Sequence, residues 1–158
     1  MVTFNTESNW AGDYASLGVT AMEMDLKNFG RTSLEMRIAL KTNDPGQVGY
    51  ASTTAFTLLN DGGWHHALFM IDAADLTKIG NGPLLDSLLS NVPELRILSA
   101  SAPSISGDQL VGQLGVDNIH ALSGSSSVPE PSAITLLAGF GISGAGFWLH
   151  RKRRRRSA

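Results

Sequence analysis

The chain has 158 residues, no cysteine and a formal net charge of −2, and the charge is divided: residues 1–130 hold six Lys or Arg against fourteen Asp or Glu, while residues 131–158 hold six basic residues and no acid. About 125 residues are left for a folded body once the last thirty are set apart, enough for one modest core. A disulfide scaffold and a thiolate metal site are excluded, and an acidic body has no steering field for nucleic acid.

The opening `MVTFNTESNWAGDYASLG` shows no basic n-region, apolar h-region or small-residue cleavage site, so it is not a secretory signal. In `VTAMEMDLKNF`, Val19 and Ala21 stand in one phase and Met22, Met24 and Leu26 in the other, which predicts a strand with one slip. The run `LEMRIALK` is cleaner. Leu34, Met36, Ile38 and Leu40 alternate with Glu35, Arg37, Ala39 and Lys41, the pattern of a half-buried strand. `TNDPGQ` is a turn, `ASTTAFTLL` a β-prone run, and `NDGG` the next turn.

`WHHALFMI` follows, with Trp64, His66, Leu68 and Met70 on one face and His65, Ala67, Phe69 and Ile71 on the other. Both faces are largely apolar, which predicts a strand covered on both sides and assigns Trp64 to the core. `GPLLDSLLSN` allows a short helix from near Pro83 with Leu84, Leu85, Leu88 and Leu89 inward, or a long loop with one helical turn. `ELRILSA` and `QLVGQLGVDNIHAL` close the body as two further β-prone runs around `SAPSISGD`. About six short strands joined by Gly, Asn, Asp, Ser and Pro turns predict a mostly β body, an antiparallel β-sandwich over residues 1–122.

Candidates for chemistry are few. His65 and His66 are adjacent on a strand and point to opposite faces, so they cannot grip one ion, and His120 reaches them only through the fold. Asp61, Asp72 and Asp75 read as solvated turn acids, because no calcium loop spacing is present and a catalytic carboxylate pair needs a cleft. Asp117 is the unusual one, an acid inside the apolar run `GVDNI`. It is expected either to tie backbone N–H groups or pair with Arg96 or Arg37, or to serve a structural calcium ion, or to stand exposed at a strand bend. Trp10, Tyr14 and Tyr50 do not converge with Trp64 on one stripe, and no G-x-S-x-G precedes the tail. The body is therefore expected to be non-enzymatic and to need no cofactor.

The C-terminus carries more. After the Ser/Pro-rich linker 123–131 come seventeen uncharged residues, Ala133 to Leu149, within a segment 132–150; as a helix they span about 25 Å, which predicts one transmembrane helix. Trp148 stands where an aromatic anchor belongs, and the tail 151–158 brings Arg151, Lys152, Arg153, Arg154, Arg155 and Arg156. Such a cluster is held on the cytoplasmic side by anionic lipid, so the body faces outward.

The order Val128, Pro129, Glu130, Pro131, then a Gly-rich apolar helix, then a terminal arginine cluster resembles the PEP-CTERM sorting signal of bacterial exported proteins. That resemblance covers residues 128–158 and implies recognition and cleavage near Pro129–Pro131 by an exosortase, a membrane protease-like transpeptidase, in bacteria that make exopolysaccharide. It places the chain in the inner membrane before processing and at the cell surface or outside afterwards. The body is similar, more loosely, to a jelly-roll-like domain of such proteins through Trp64 to Phe69, Glu94 to Leu98, Gly107 and Leu114 to Leu122. The rival reading is a secreted polysaccharide-binding or polysaccharide-active protein using the same signal.

Members of that type begin with a signal peptide and further strands. The expectation is that genomic sequence upstream of Met1, read in frame, encodes both, and an in-frame stop codon just before Met1 would overturn it.

Overall fold

The computed structural model describes residues 10–124 and the backbone of residues 2–5. Along the chain run β1 (Val2–Asn5), β2 (Val19–Asn28), β3 (Leu34–Lys41), β4 (Gly49–Ser52), β5 (Phe56–Leu58), β6 (Trp64–Met70), β7 (Leu76–Ile79), α1 (Leu85–Leu89), β8 (Glu94–Ser99) and β9 (Leu114–Ser123). They form two antiparallel sheets, a larger one in the order β1-β8-β3-β4-β7 with β5 also on β3, and a smaller one in the order β6-β2-β9. One apolar cluster joins them: Met22, Met24 and Leu26 of β2 and Ala67 and Phe69 of β6 meet Met36, Ile38 and Leu40 of β3 and Leu95 and Ile97 of β8. The body is a β-sandwich, as its alternating runs predict. No helix among the described residues is long and apolar enough to cross a membrane. The expected membrane segment 132–150, the motif Val128–Pro131 and the basic tail lie outside the described residues.

β3 is the centre of the larger sheet. Its Met36–Lys41 stretch pairs with β8 on one side, while β5 at Leu34–Met36 and β4 at Ala39–Lys41 share the other. The expected half-buried strand is instead covered on both faces: Arg37 and Ala39, on the side read as outward, are buried. The cover is the loop after β8, where Ile105 packs on Ala39, Ala51, Leu98 and Ala100 in a second, smaller cluster.

Arg37 makes this possible. Its Nε donates to the Ala100 carbonyl at 3.0 Å, and its Nη1 to those of Ser52 and Thr53 at 2.7 and 2.8 Å. A fourth, longer contact runs from Nη2 to the Ser101 carbonyl at 3.4 Å. Beside it the Ser52 hydroxyl accepts from Ile38 N at 3.1 Å and donates to Ile38 O at 3.3 Å, which fills the gap in the ladder between β4 and β5. The single run expected over residues 51–59 is thus broken at Thr53–Thr54 into two strands. Gly49 opens β4 in a conformation where a Cβ would collide with the Leu40 carbonyl oxygen, so the approach to β3 requires glycine.

Other boundaries shift for identifiable reasons. The phase slip in β2 is a register irregularity between Val19 and Ala21 against β9. The last strand begins at Leu114 rather than near Gln109, and Leu110 and Val111 are exposed. Helix α1 is only five residues long; Leu88 is buried and Leu85 and Leu89 partly so, but Leu84 is the residue before the helix and is 75% exposed. The loop before β2 is tied to this end of the sandwich by paired backbone bonds between Gly12 and Val92, both 2.8 Å. Within that loop Tyr14 is buried and donates to the Trp10 carbonyl at 2.7 Å, and burial pushes its hydroxyl pKa up to about 12.

Replacing Arg37 by Met is expected to leave buried carbonyls unpaired and to cost about 2–4 kcal/mol. Urea unfolding of the full chain in mild detergent, followed by tryptophan fluorescence, should show the lower midpoint, and an unchanged midpoint would show that the loop does not depend on Arg37.

Candidate functional site

The smaller sheet buries one face and leaves the other without a covering element among the described residues. Pairing β6 with β2 and β2 with β9 sets the outward residues in rows: Trp64, Lys27 and Gly115; then His66, Asp25 and Asp117; then Leu68, Glu23 and His120; then Met70, Ala21 and Leu122. The strand period of two that sends Met22, Met24 and Leu26 into the core sends Glu23, Asp25 and Lys27 out.

The first row is aromatic. Trp64 is 51% exposed and Phe29, just past β2, is 52% exposed. This corrects the assignment of Trp64 to the core: its strand is apolar on both sides, but only the side of Ala67, Phe69 and Ile71 is covered. Gly115 leaves room for the rings, since a Cβ there would lie 3.0 Å from Trp64 Cη2 and 3.1 Å from Phe29 Cε2. Lys27 Nζ stands 5.1 Å from the centroid of Phe29 and 5.9 Å from that of Trp64, a cation–π contact with both.

Below the rings lies an acid–histidine row. His66 Nδ1 is 3.3 Å from Asp25 Oδ1 and His66 Nε2 is 3.5 Å from Glu23 Oε2. Asn118 donates from Nδ2 to Asp25 Oδ2 at 2.7 Å. Asn118 reaches Asp25 because the register shifts between Glu23 and Asp25, which adds a residue on β9, and because its φ of 49° is left-handed. The Asn118 hydrogen bond first, that of His66 second, and the charges of His66 and His120 hold the Asp25 carboxyl below its usual range. Asp25 also faces Asp117 directly across the strand pair, a like-charge placement that gives no stability.

The residues singled out from sequence fall into three groups. His66, His120 and Asp117 come together on this face. Asp117 is exposed and accepts from its neighbour Asn118 N at 2.8 Å, so it pairs with neither Arg96, which bonds Glu94 at 2.7 Å, nor Arg37. His65 is elsewhere, 2.8 Å from Asp61 at the β5–β6 turn, where its hydrogen bond and that of Gly63 N lower the Asp61 carboxyl. Asp72 accepts from Ala74 N and Asp75 N at 2.7 and 2.9 Å and serves the turn before β7. Tyr50 is buried and donates to the Pro83 carbonyl at 3.1 Å, and Trp10 packs against the core, so neither Trp10 nor Tyr14 offers a platform. Glu23, Asp25, Lys27, Phe29 and Asn118 were missed. The alternation of Glu23, Asp25 and Lys27 could have marked them as one row, but its partners across the sheet depend on strand order.

Among the described residues no group of three or more His, Asp or Glu could hold a metal ion. A cavity of about 160 Å³ beside Leu68 and Met70, lined also by Thr54, Phe56 and Asp75, is smaller than the ~300–1,000 Å³ of pockets that enclose a small ligand. No protein-family model, curated protein or solved structure matches the chain.

Removing the Asn118 amide by substitution with Ala should raise the Asp25 midpoint toward the ordinary carboxylate value, read by NMR titration of its carboxyl carbon. Because the folded-state value is depressed, the stabilisation from Asp25 is present above the ordinary carboxylate pKa and is lost as pH falls through the depressed one; Asn118→Ala should narrow that window.

Proposed function

We propose that this chain is an exported cell-envelope or extracellular-matrix protein, sorted through its C-terminus and cleaved by an exosortase, whose β-sandwich body is a non-catalytic display and binding module. The observation that carries the reading is the order, within residues 128–158, of Val-Pro-Glu-Pro, an uncharged apolar stretch and six basic residues. Pro129 and Pro131 lack amide hydrogens and favour an extended segment around Glu130, a form open to a processing enzyme. The uncharged stretch from Ala133 to Leu149 then crosses the inner membrane, Trp148 lies at the interface, and Arg151 to Arg156 stay with the anionic cytoplasmic leaflet. The body, of jelly-roll-like type, stands outside.

A non-catalytic body is supported by how the described acids are used. Asp61 and Asp72 cap turns, and Asp25 and Glu23 share His66 on an open surface rather than across a cleft. General acid–base chemistry gains from a closed, water-poor site, which a flat sheet face does not provide.

The test is processing in a bacterium that has an exosortase, with an export signal supplied upstream and separate tags at the two ends. The N-terminal tag should appear outside and the C-terminal tag should be lost, while Glu130→Ala should retain both tags in the inner-membrane fraction. One intact soluble cytosolic species, or equal processing of the Glu130→Ala chain, would overturn the proposal.

A further inference from the structure

The open face of the smaller sheet combines exposed aromatic rings with an excess of carboxylates. Glu23, Asp25 and Asp117 are set against one permanent cation, Lys27, whose ammonium lies over the Trp64 and Phe29 rings, and against His66 and His120, which carry charge only when protonated. The surface is continuous along β6 from Trp64 to Met70, about 20 Å at the rise of a strand. Leu68 and Met70 on the same strand are 51% and 41% exposed, so the apolar component extends along its length.

We propose that this face binds a polysaccharide carrying free amino groups, with a sugar ring laid on Trp64 and Phe29 and its ammonium taken by Asp25 and Glu23. The inference rests on the export reading above for where such a polymer would be met. Three features of the face select this chemistry. Pyranose rings present flat C–H surfaces, and an indole and a phenyl held open by Gly115 supply the complementary apolar area. Successive outward residues on one strand are about 7 Å apart, so a rigid ring over the aromatic row carries an amine on its edge into the acid row below. Charge complementarity then favours the ammonium form, because a charge-assisted hydrogen bond to a carboxylate is stronger than a neutral one.

Other occupants fit less well. A protein partner would have to desolvate the Glu23–His66–Asp25 row, whereas the cores of protein interfaces are depleted of charged residues. A cationic peptide places its ammonium groups on long flexible stems and loses rotamer entropy for each lysine fixed. A neutral glycan satisfies the rings but brings no ammonium to the acid row, so it forgoes the charge-assisted bonds. Asp25 is held in place on both oxygens, by Asn118 and His66, so little further ordering is needed when a ligand arrives.

The test uses the full chain in mild detergent and four probes: a fully deacetylated glucosamine oligomer, its N-acetylated counterpart, a neutral glucan and polylysine. Isothermal titration should show the deacetylated oligomer binding at least tenfold more tightly than each of the others. Trp64→Ala, Asp25→Asn and Glu23→Gln should each weaken it about tenfold or more, while Asp44→Asn, in the turn after β3, should not. Circular dichroism checks that each variant keeps its strands, and the two isosteric acid changes keep the test decisive if Trp64→Ala alters the fold. Equal binding of the N-acetylated oligomer, the glucan or polylysine would overturn the proposal, as would no binding or variants that bind as well as the original. The processing assay reads the tail independently, so an intact sorting result with no glycan binding would remove this inference and leave the export reading standing.

Discussion

A single guanidinium decides which face of this sandwich is closed. Arg37 is buried at the centre of the larger sheet, and it donates to backbone carbonyls at Ser52, Thr53, Ala100 and Ser101. Arginine suits this position because it stays charged and presents several donors in one plane. A buried cation is costly unless each donor is met, and here the carbonyls come from the two places where the chain leaves the sheet, after β4 and after β8. The same contacts that satisfy the charge draw the 100–108 loop over the strand. Arg96 adds a hydrogen bond to the Ile105 carbonyl at 2.9 Å, and Asp108 accepts from Ser101 N at 2.9 Å.

Among the described residues that loop covers the larger sheet over Ala39, Ala51 and Leu98, while the outer face of β6, β2 and β9 stays open. The two sheets solve the same alternation differently. In β3 the second set of side chains, Arg37 and Ala39, is buried; in β2 the second set, Glu23, Asp25 and Lys27, meets solvent. Acids on such a face need no burial partner. Their mutual arrangement with His66 and Asn118 is therefore not forced by packing, and the direct opposition of Asp25 and Asp117 opposes it. Groups held together against a small electrostatic cost, beside half-exposed rings, favour a binding role over a structural one.

Much of the sandwich was legible because hydrophobic period is a local property. The alternation in residues 34–41 marks β3, and the phase slip near Ala21 marks the irregularity against β9. What was not legible was which second face would be covered, since that depends on a loop sixty residues away in sequence. The same limit explains Trp64: a strand with two apolar faces reads as fully buried, yet Leu68 and Met70 remain exposed with it. Asp117 looked anomalous inside an apolar run, yet it simply alternates outward after Val116; the residue added at Asn118 is what returns Ile119 to the core side, and a bulge leaves no composition signal. The cross-strand rows that make a site of Glu23, Asp25 and His66 arise from pairing β2 with both β6 and β9, strands more than forty residues apart at these positions.

The topology also sets the two ends of this face apart. β9 starts at Leu114, beside the aromatic row, and ends at Ser123 in the region of Met70, Ala21 and Leu122. The last residues of β9 therefore lie at the apolar end of the strip, roughly 25 Å along the strand from Gly115. At that end of β9, Thr20 Oγ1 donates to Leu122 O at 3.4 Å and Gly124 N donates to Gly18 O at 3.1 Å, which ties the strand's last residues to the start of β2. The rings at Trp64 and Phe29 sit at the other end of the same strand pair.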